Sequence, residues 1–345
     1  MFVLEKVFLG GIVLFFICTR SSYTDHTDLV RPVECFEATD ECPNKYITFY
    51  LYRKDNEKKP TFAVITEDTI DTVEFSPSDT LKILIHGIKG EQNDKFNILI
   101  RDAYFSKADY NIITVVYTPL GPTLRCYQET LLNMKIIARC TVRLLQKILE
   151  KNSNIKYRHL IGFSLGAQIA GNIAIIWNDE NKIDKLERIT ALDPASPHLE
   201  NGRSLLNADS ATVVDVIHSN SGVLGQILPI GTVDFYANGG IRQPGCEHDE
   251  HPVYCHHHRA YYYFAESITH EKTIHGFFAT LSGSCSDKDF SLLGGDFQDV
   301  HVMVGEYLEL ETRGVYYFNT NSEPPFSPNA TDTTSQVFET PQPNS

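Results

Sequence analysis

The chain has 345 residues, of which 42% are hydrophobic, so it is long enough to bury a substantial core without metal or partner. Its 44 acidic residues outnumber its 30 basic ones, giving a formal net charge of −14. That balance excludes nucleic acid as a partner, because phosphate binding needs clustered Lys and Arg, and it excludes electrostatic docking to strongly anionic membranes.

The first residues read as an export signal, expected over 1–22. Lys6 precedes the apolar run Val7–Ile17, which is too short to span a bilayer, and small polar residues follow at Thr19, Ser21 and Ser22. Cleavage is expected between Cys18 and Tyr23, leaving no transmembrane segment in a secreted, extracellular mature chain; an uncleaved anchor is the alternative. Of eight cysteines, loss of Cys18 leaves Cys35, Cys42, Cys126, Cys140, Cys246, Cys255 and Cys285. In an exported chain these are expected to form disulfides, with one left over from an odd number.

Residues 23–45 form an expected N-terminal arm held through Cys35 and Cys42. Ile47–Tyr52 is a strand rich in aromatic and β-branched residues, and Asp55–Pro60 is a loop. Leu81–Ile85 is a buried strand ending at His86-Gly87-Ile88-Lys89-Gly90. Phe96–Phe105 has helical spacing, Ile112–Tyr117 is another buried strand, and Tyr127–Leu149 predicts a long amphipathic helix with Leu131, Met134, Ile137, Leu144, Leu145 and Ile148 inward. Ile189–Leu192 and Val213–His218 are further strands. Continuous apolar strands alternating with helices predict an α/β fold with a mainly parallel sheet covered on both faces. From Glu323 the chain turns rich in Pro, Ser and Thr and predicts a disordered tail over 323–345, with one N-glycosylation acceptor at Asn329-Ala330-Thr331.

The centre of the chain is Gly162-Phe163-Ser164-Leu165-Gly166. The apolar run His159–Phe163 precedes it and a helix-forming run, Ala167 to Ala174, follows. This is the strand–turn–helix setting of a nucleophile elbow, in which the glycines let strand and helix approach and the serine hydroxyl stands above the sheet. Serine is a weak nucleophile and needs a base with an acid to orient it. Asp193, at the end of an apolar strand and before Pro194, fits the acid; Asp215 is the rival, but it lies inside a strand. The base is sought later in the chain, among His256, His257 and His258 behind Cys255, with His218, His270 and His275 as alternatives. A histidine cluster including His248 and His251 could hold metal, but its spacing fits no fixed zinc pattern. Two N–H donors for a developing oxyanion are expected from Leu165, next after the serine, and from Ile88 in the loop after an earlier central strand.

Together and in order, His86-Gly87-Ile88, Gly162-Phe163-Ser164-Leu165-Gly166, Leu192-Asp193-Pro194-Ala195 and Cys255-x-His257-x-Arg259 resemble the pancreatic lipase family, most closely its secreted phospholipase A1-like branch from arthropods. Gly231-Thr232-Val233-Asp234-Phe235-Tyr236, Gly239-Gly240 and Gln243-Pro244-Gly245-Cys246 add to the set, and the resemblance spans about residues 35–320 of an expected domain at 23–322. It implies an α/β-hydrolase fold with Ser164, Asp193 and His257 as nucleophile, acid and base, and with no metal or organic cofactor. It also implies that Cys246 and Cys255 close a lid, worth roughly 2.5–3 kcal/mol in the chain-entropy model, that Cys35 and Cys42 pair with Cys126 and Cys140 in some order, and that Cys285 is left over. Phe163 stands where many lipases have histidine, and Ile88 where phenylalanine is common. No C-terminal β-sandwich, and therefore no colipase partner, is expected.

Only Glu247–Tyr254 lies between the lid cysteines, and Glu247, Asp249 and Glu250 are acidic. Within this family a lid so short implies a phospholipase A1 acting on the sn-1 ester of phospholipids at a lipid–water interface. A neutral lipase acting on triacylglycerol, diacylglycerol or galactolipid is the alternative, and a non-catalytic, yolk-type lipid-binding protein a second one.

Overall fold

The computed structural model describes residues 34–55, 59–180, 184–196, 204–269, 278–281 and 298–328. The expected signal, Cys285, His270, His275 and Asn329 lie outside them.

Among the described residues one sheet of eleven strands organises the chain, in the order β10-β9-β11-β8-β7-β6-β5-β3-β4-β1-β2. The parallel centre comprises β3 (Thr80–Ile85), β4 (Asn111–Val116), β5 (Tyr157–Phe163), β6 (Arg188–Leu192), β7 (Val213–His218), β8 (Val233–Ala237) and β11 (Gly314–Phe318). An antiparallel hairpin, β1 (Thr48–Lys54) with β2 (Pro60–Ile65), closes one edge. At the other, β9 (Phe278–Leu281) and β10 (Gln298–Met303) run antiparallel. The expected loop at Asp55–Pro60 thus ends in a strand that was not foreseen: six residues are too few for their alternation to stand out, and their partner is the preceding strand.

Strand residues alternate between two cores. Leu81, Ile83, Ile85, Leu160, Ile189, Val214 and Val216 pack under helices α2 (Tyr127–Lys151) and α3 (Leu165–Glu180). Leu84, Ile161, Phe163, Leu192, Val213 and Ile217 pack under α1 (Lys95–Lys107) and α4 (Pro252–Thr269). Both faces are dry, as continuous apolar strands require. Disulfides Cys35–Cys126 and Cys42–Cys140 tie the arm before β1 to the start and middle of α2.

On the α1/α4 face the apolar strands carry a buried row of charge. The register sets Lys82 beside His159 and His159 beside Arg188. Lys82 Nζ donates to Glu306 Oε1 at 2.7 Å, while Arg188 forms a two-pronged bond with Asp215 at 2.7 and 2.9 Å and also reaches the carbonyls of Gly305 and Glu306. Tyr104 donates to Glu306 at 2.6 Å. The row pins the segment after β10 to the central strands, and it commits Asp215 to Arg188, away from any histidine.

Residues 323–328, placed in the expected tail, are docked on the domain. The Phe326 and Ser327 amides each donate to the Glu266 carboxylate at 2.7 Å, and the Phe326 ring is buried against Arg259 and Tyr263 of α4. A proline-rich composition marks a chain unable to form a core of its own, but not one unable to dock on another.

Truncating one member of a buried ion pair leaves the other charge desolvated and alone, at a cost of about 3–5 kcal/mol. Arg188→Met is expected to lower the unfolding free energy by that amount, read as a fall in the urea midpoint at neutral pH.

Candidate active site

Ser164 sits in the turn between β5 and α3 with φ +55°, a left-handed backbone that costs a non-glycine residue energy. The two flanking glycines are steric necessities. A Cβ on Gly162 would lie 2.6 Å from Ala167 Cα, and one on Gly166 would lie 2.0 Å from the Ile85 carbonyl oxygen. The serine backbone is held from two directions: its amide donates to Leu192 O at 2.9 Å, and its carbonyl accepts from the Ala167 and Ala195 amides, each at 3.1 Å.

Asp193 leaves the adjacent strand, β6, at the same end of the sheet, with φ +43°. Its carboxylate is fully buried. Oδ2 meets His257 Nδ1 at 2.5 Å. Oδ1 accepts the backbone amides of Ser219 and Asn220, both at 2.9 Å. A Cβ on Gly225 would stand 2.4 Å from Oδ1, so only glycine lets the β7–β8 loop close over the acid. None of these three loop residues was anticipated. Backbone amides leave no mark in a sequence; Gly225 was the one readable signal.

His257 lies on α4 behind the Cys246–Cys255 disulfide. The Ser219 hydroxyl donates to its carbonyl at 3.2 Å, so one residue bonds both Asp193 and His257. The Phe163 ring packs 4.7 Å from the imidazole and is itself set by Phe96 and Tyr261. The neighbouring histidines are otherwise engaged: His256 Nδ1 accepts from the Gln243 amide at 2.9 Å, and His258 packs on Phe163 and Tyr261, where burial holds its pKa down at about 4. His218 is bound to Asp234 and Gln226, not to Asp193. The structure therefore pairs Asp193, at the end of β6, with His257 on α4, and sets Ser164 at the end of the neighbouring strand β5, where its backbone bonds to Leu192 and Ala195.

The loop carrying Ile88 passes beside the serine. A Cβ on Gly87 would lie 3.2 Å from Ser164 Cβ. The amides following Ile88 are tied down, Lys89 to Gly121 O and Gly90 to Gly87 O. Leu165 is the first residue of α3, so its N–H has no partner within the helix and stands at the positive end of the helix dipole. His86 fixes the loop: its Nδ1–H donates to Gly87 O at 2.7 Å, its ring stacks on Tyr117, and Tyr117 OH donates to the His86 carbonyl at 2.5 Å. Burial depresses the His86 pKa to about 4.

The Cys246–Cys255 loop is shorter in space than in sequence, because Pro252–Tyr254 already form the first turn of α4. Val223, Ile227 and Leu228 in the loop between β7 and β8, Ile241 after β8, and Val253 and Tyr254 within this loop expose apolar side chains. Among the described residues no group of His, Cys, Asp and Glu is arranged to hold a metal ion, and no helix is long and apolar enough to cross a membrane.

A strained serine between strand and helix, with an Asp–His pair at the same end of a mainly parallel sheet, defines the α/β-hydrolase class. A family model described as Lipase matches residues 15–326, and the chain belongs to that family. It is 32% identical to phospholipase A1 member A of Rattus norvegicus over 65% of this chain and 50% of that protein. It is also 32% identical to lipase member H of Danio rerio, over 52% and 39% respectively. Pancreatic triacylglycerol lipase of Oryctolagus cuniculus is 29% identical over 87% of this chain and 68% of that protein. The chain thus spans about half the length of the first two relatives, or less.

His86 ties the serine loop to acid stability. Its depressed pKa means that the unfolded chain binds the extra proton more readily, so its contribution is complete above about pH 6.5 and is lost as pH falls toward 4. The span of some two and a half units corresponds to about 3 kcal/mol. Urea unfolding at pH 7.5 and pH 4.5 is expected to show a smaller acid loss, by that order, in His86→Gln than in the natural chain.

Proposed function

We propose that this protein is a secreted serine esterase of lipids, a phospholipase A1 that cleaves the sn-1 acyl ester of phospholipids. The observation that carries the reading is an elbow serine at φ +55° at the end of β5, beside the end of β6 where a buried carboxylate meets a histidine Nδ1 at 2.5 Å. Ser164 attacks the acyl carbonyl. His257 takes the hydroxyl proton and returns it to the departing alcohol, and Asp193 holds the imidazole tautomer and balances the imidazolium. The Ile88 and Leu165 amides receive the oxyanion. Water, activated by His257, then frees the fatty acid. Every group needed comes from the chain, with no step assigned to a metal or cofactor.

The substrate class rests on the mouth of the site. A lid of eight residues between its cysteines, three of them already helical, cannot fold a long amphipathic cover over the serine. The surrounding aliphatic rim suits a lipid surface, and the excess of acid over base favours zwitterionic head groups over anionic ones. The phospholipase A1 member A relative points the same way. The match to a pancreatic triacylglycerol lipase over most of the chain supports a second reading, a neutral lipase with the same chemistry. Three disulfides support export.

The test offers the purified protein phosphatidylcholine with different acyl chains at its two positions, beside a triacylglycerol emulsion. Release of the sn-1 chain with little attack on the emulsion is expected; preference for the emulsion establishes the neutral lipase instead. Ser164→Ala is expected to lose both hydrolysis and labelling by a fluorophosphonate probe, and Asp193→Asn to lower kcat about 10⁴-fold. A wild type inert to lipid and probe would leave a lipid-binding role.

A further inference from the structure

A second buried histidine–aspartate pair lies one strand away from the first. His218 ends β7 and is fully buried. Its Nε2 lies 2.8 Å from Asp234 Oδ1 and its Nδ1 lies 3.0 Å from the carbonyl oxygen of Gln226. The Asp234 carboxylate also accepts the amides of Ile230 and Gly231, each at 3.0 Å. A carbonyl can only accept, and a carboxylate already receiving two N–H groups is acting as an acceptor, so both ring nitrogens of His218 donate. The ring lies flat on Tyr236, 4.2 Å away at 6°, a position that suits a cation. Tyr236 in turn donates to the Ile227 carbonyl at 2.9 Å.

The loop these groups hold is the one that touches the acid and the base. It runs from Ser219 to Thr232. Its first residue, adjacent to His218, donates its amide to Asp193 and its hydroxyl to the His257 carbonyl. Its middle residue Gly225 packs on the Asp193 carboxylate. Gln226, the acceptor of His218 Nδ1, donates its own amide to Pro194 O at 2.8 Å and its side chain to Ala195 O at 3.2 Å. Asp234 fixes the far end. His218, Asp234 and Tyr236 thus hold the loop at Gln226, Ile230, Gly231 and Ile227, beside further bonds at its ends to Gly240, Ile241, Gln243 and Val214.

We propose that His218, held as an imidazolium against Asp234, is a positioning residue for the hydrolysis: it fixes the Ser219–Thr232 loop, and so the Asp193 carboxylate and the carbonyl of His257, without touching substrate. The catalytic consequence rests on the proposed function; the charge state does not.

Two measurements test it. Histidine-selective ¹⁵N spectra of the wild type at pH 7 are expected to show His218, assigned by its loss in His218→Gln, with protons on both ring nitrogens. A single protonated nitrogen overturns the proposal. This arm holds even if the protein proves inert to lipid, an outcome that would sink the functional reading alone. In Asp234→Asn, kcat and the rate of fluorophosphonate labelling are expected to fall together by about 10–100-fold, as a small misplacement of catalytic groups does, with KM changed less than about twofold. Full kcat in a folded variant, or a rise in KM alone, overturns it. Should that variant fail to fold, the nitrogen spectra of the wild type decide.

Discussion

The site depends on one close approach, that of α3 to the ends of β3 and β5 at Ser164. The two glycines remove the β-carbons that would hold the elements apart, and the distances, 2.0 and 2.6 Å to a hypothetical Cβ, leave no room for adjustment by backbone atoms. From that approach three things follow together. The serine backbone is driven into a left-handed turn, the first free amide of α3 comes to stand beside its hydroxyl, and the Ile85–His86–Gly87 chain passes within contact of both. Strain at a single residue is sustained because strand pairing on both sides fixes the turn more firmly than the residue's own preference can relax it.

The proposed acid and base answer to longer-range constraints. Asp193 is placed by the parallel register of β6 against β5, and its second oxygen is satisfied by amides of a loop two elements later. His257 rides on a helix whose start is tethered by a disulfide and whose inner face packs against α1. Buried charge elsewhere in the sheet is compensated locally, Lys82 by Glu306 and Arg188 by Asp215, so a potential rival acid is locked into an ion pair.

The serine was legible because its requirements are local: two glycines, a preceding apolar strand and a following helix all fall within a dozen residues. The sheet was legible from its continuous apolar strands. The base was not separable from its neighbours on residue chemistry alone. Three consecutive histidines differ only in which way α4 points them, and that direction is set by α1 and by Phe163. Nor was α4 foreseen, since histidines and tyrosines are middling helix formers whose order here comes from packing. The row from Lys82 to Asp215 stayed hidden for a similar reason: each charge interrupts an otherwise apolar strand, and its partner lies far along the chain.

The docked segment at Glu323–Pro328 ties the chain beyond β11 to the helix that carries His257. Its amides cap Glu266, and its phenylalanine covers Arg259, the residue two places after His257. This stretch therefore supports the helix that carries His257, although it lies outside every sequence motif that defines the candidate site. A protease cutting after residue 320 would leave Ser164, Asp193 and His257 covalently intact and still strip Phe326 and its neighbours from the helix that carries His257.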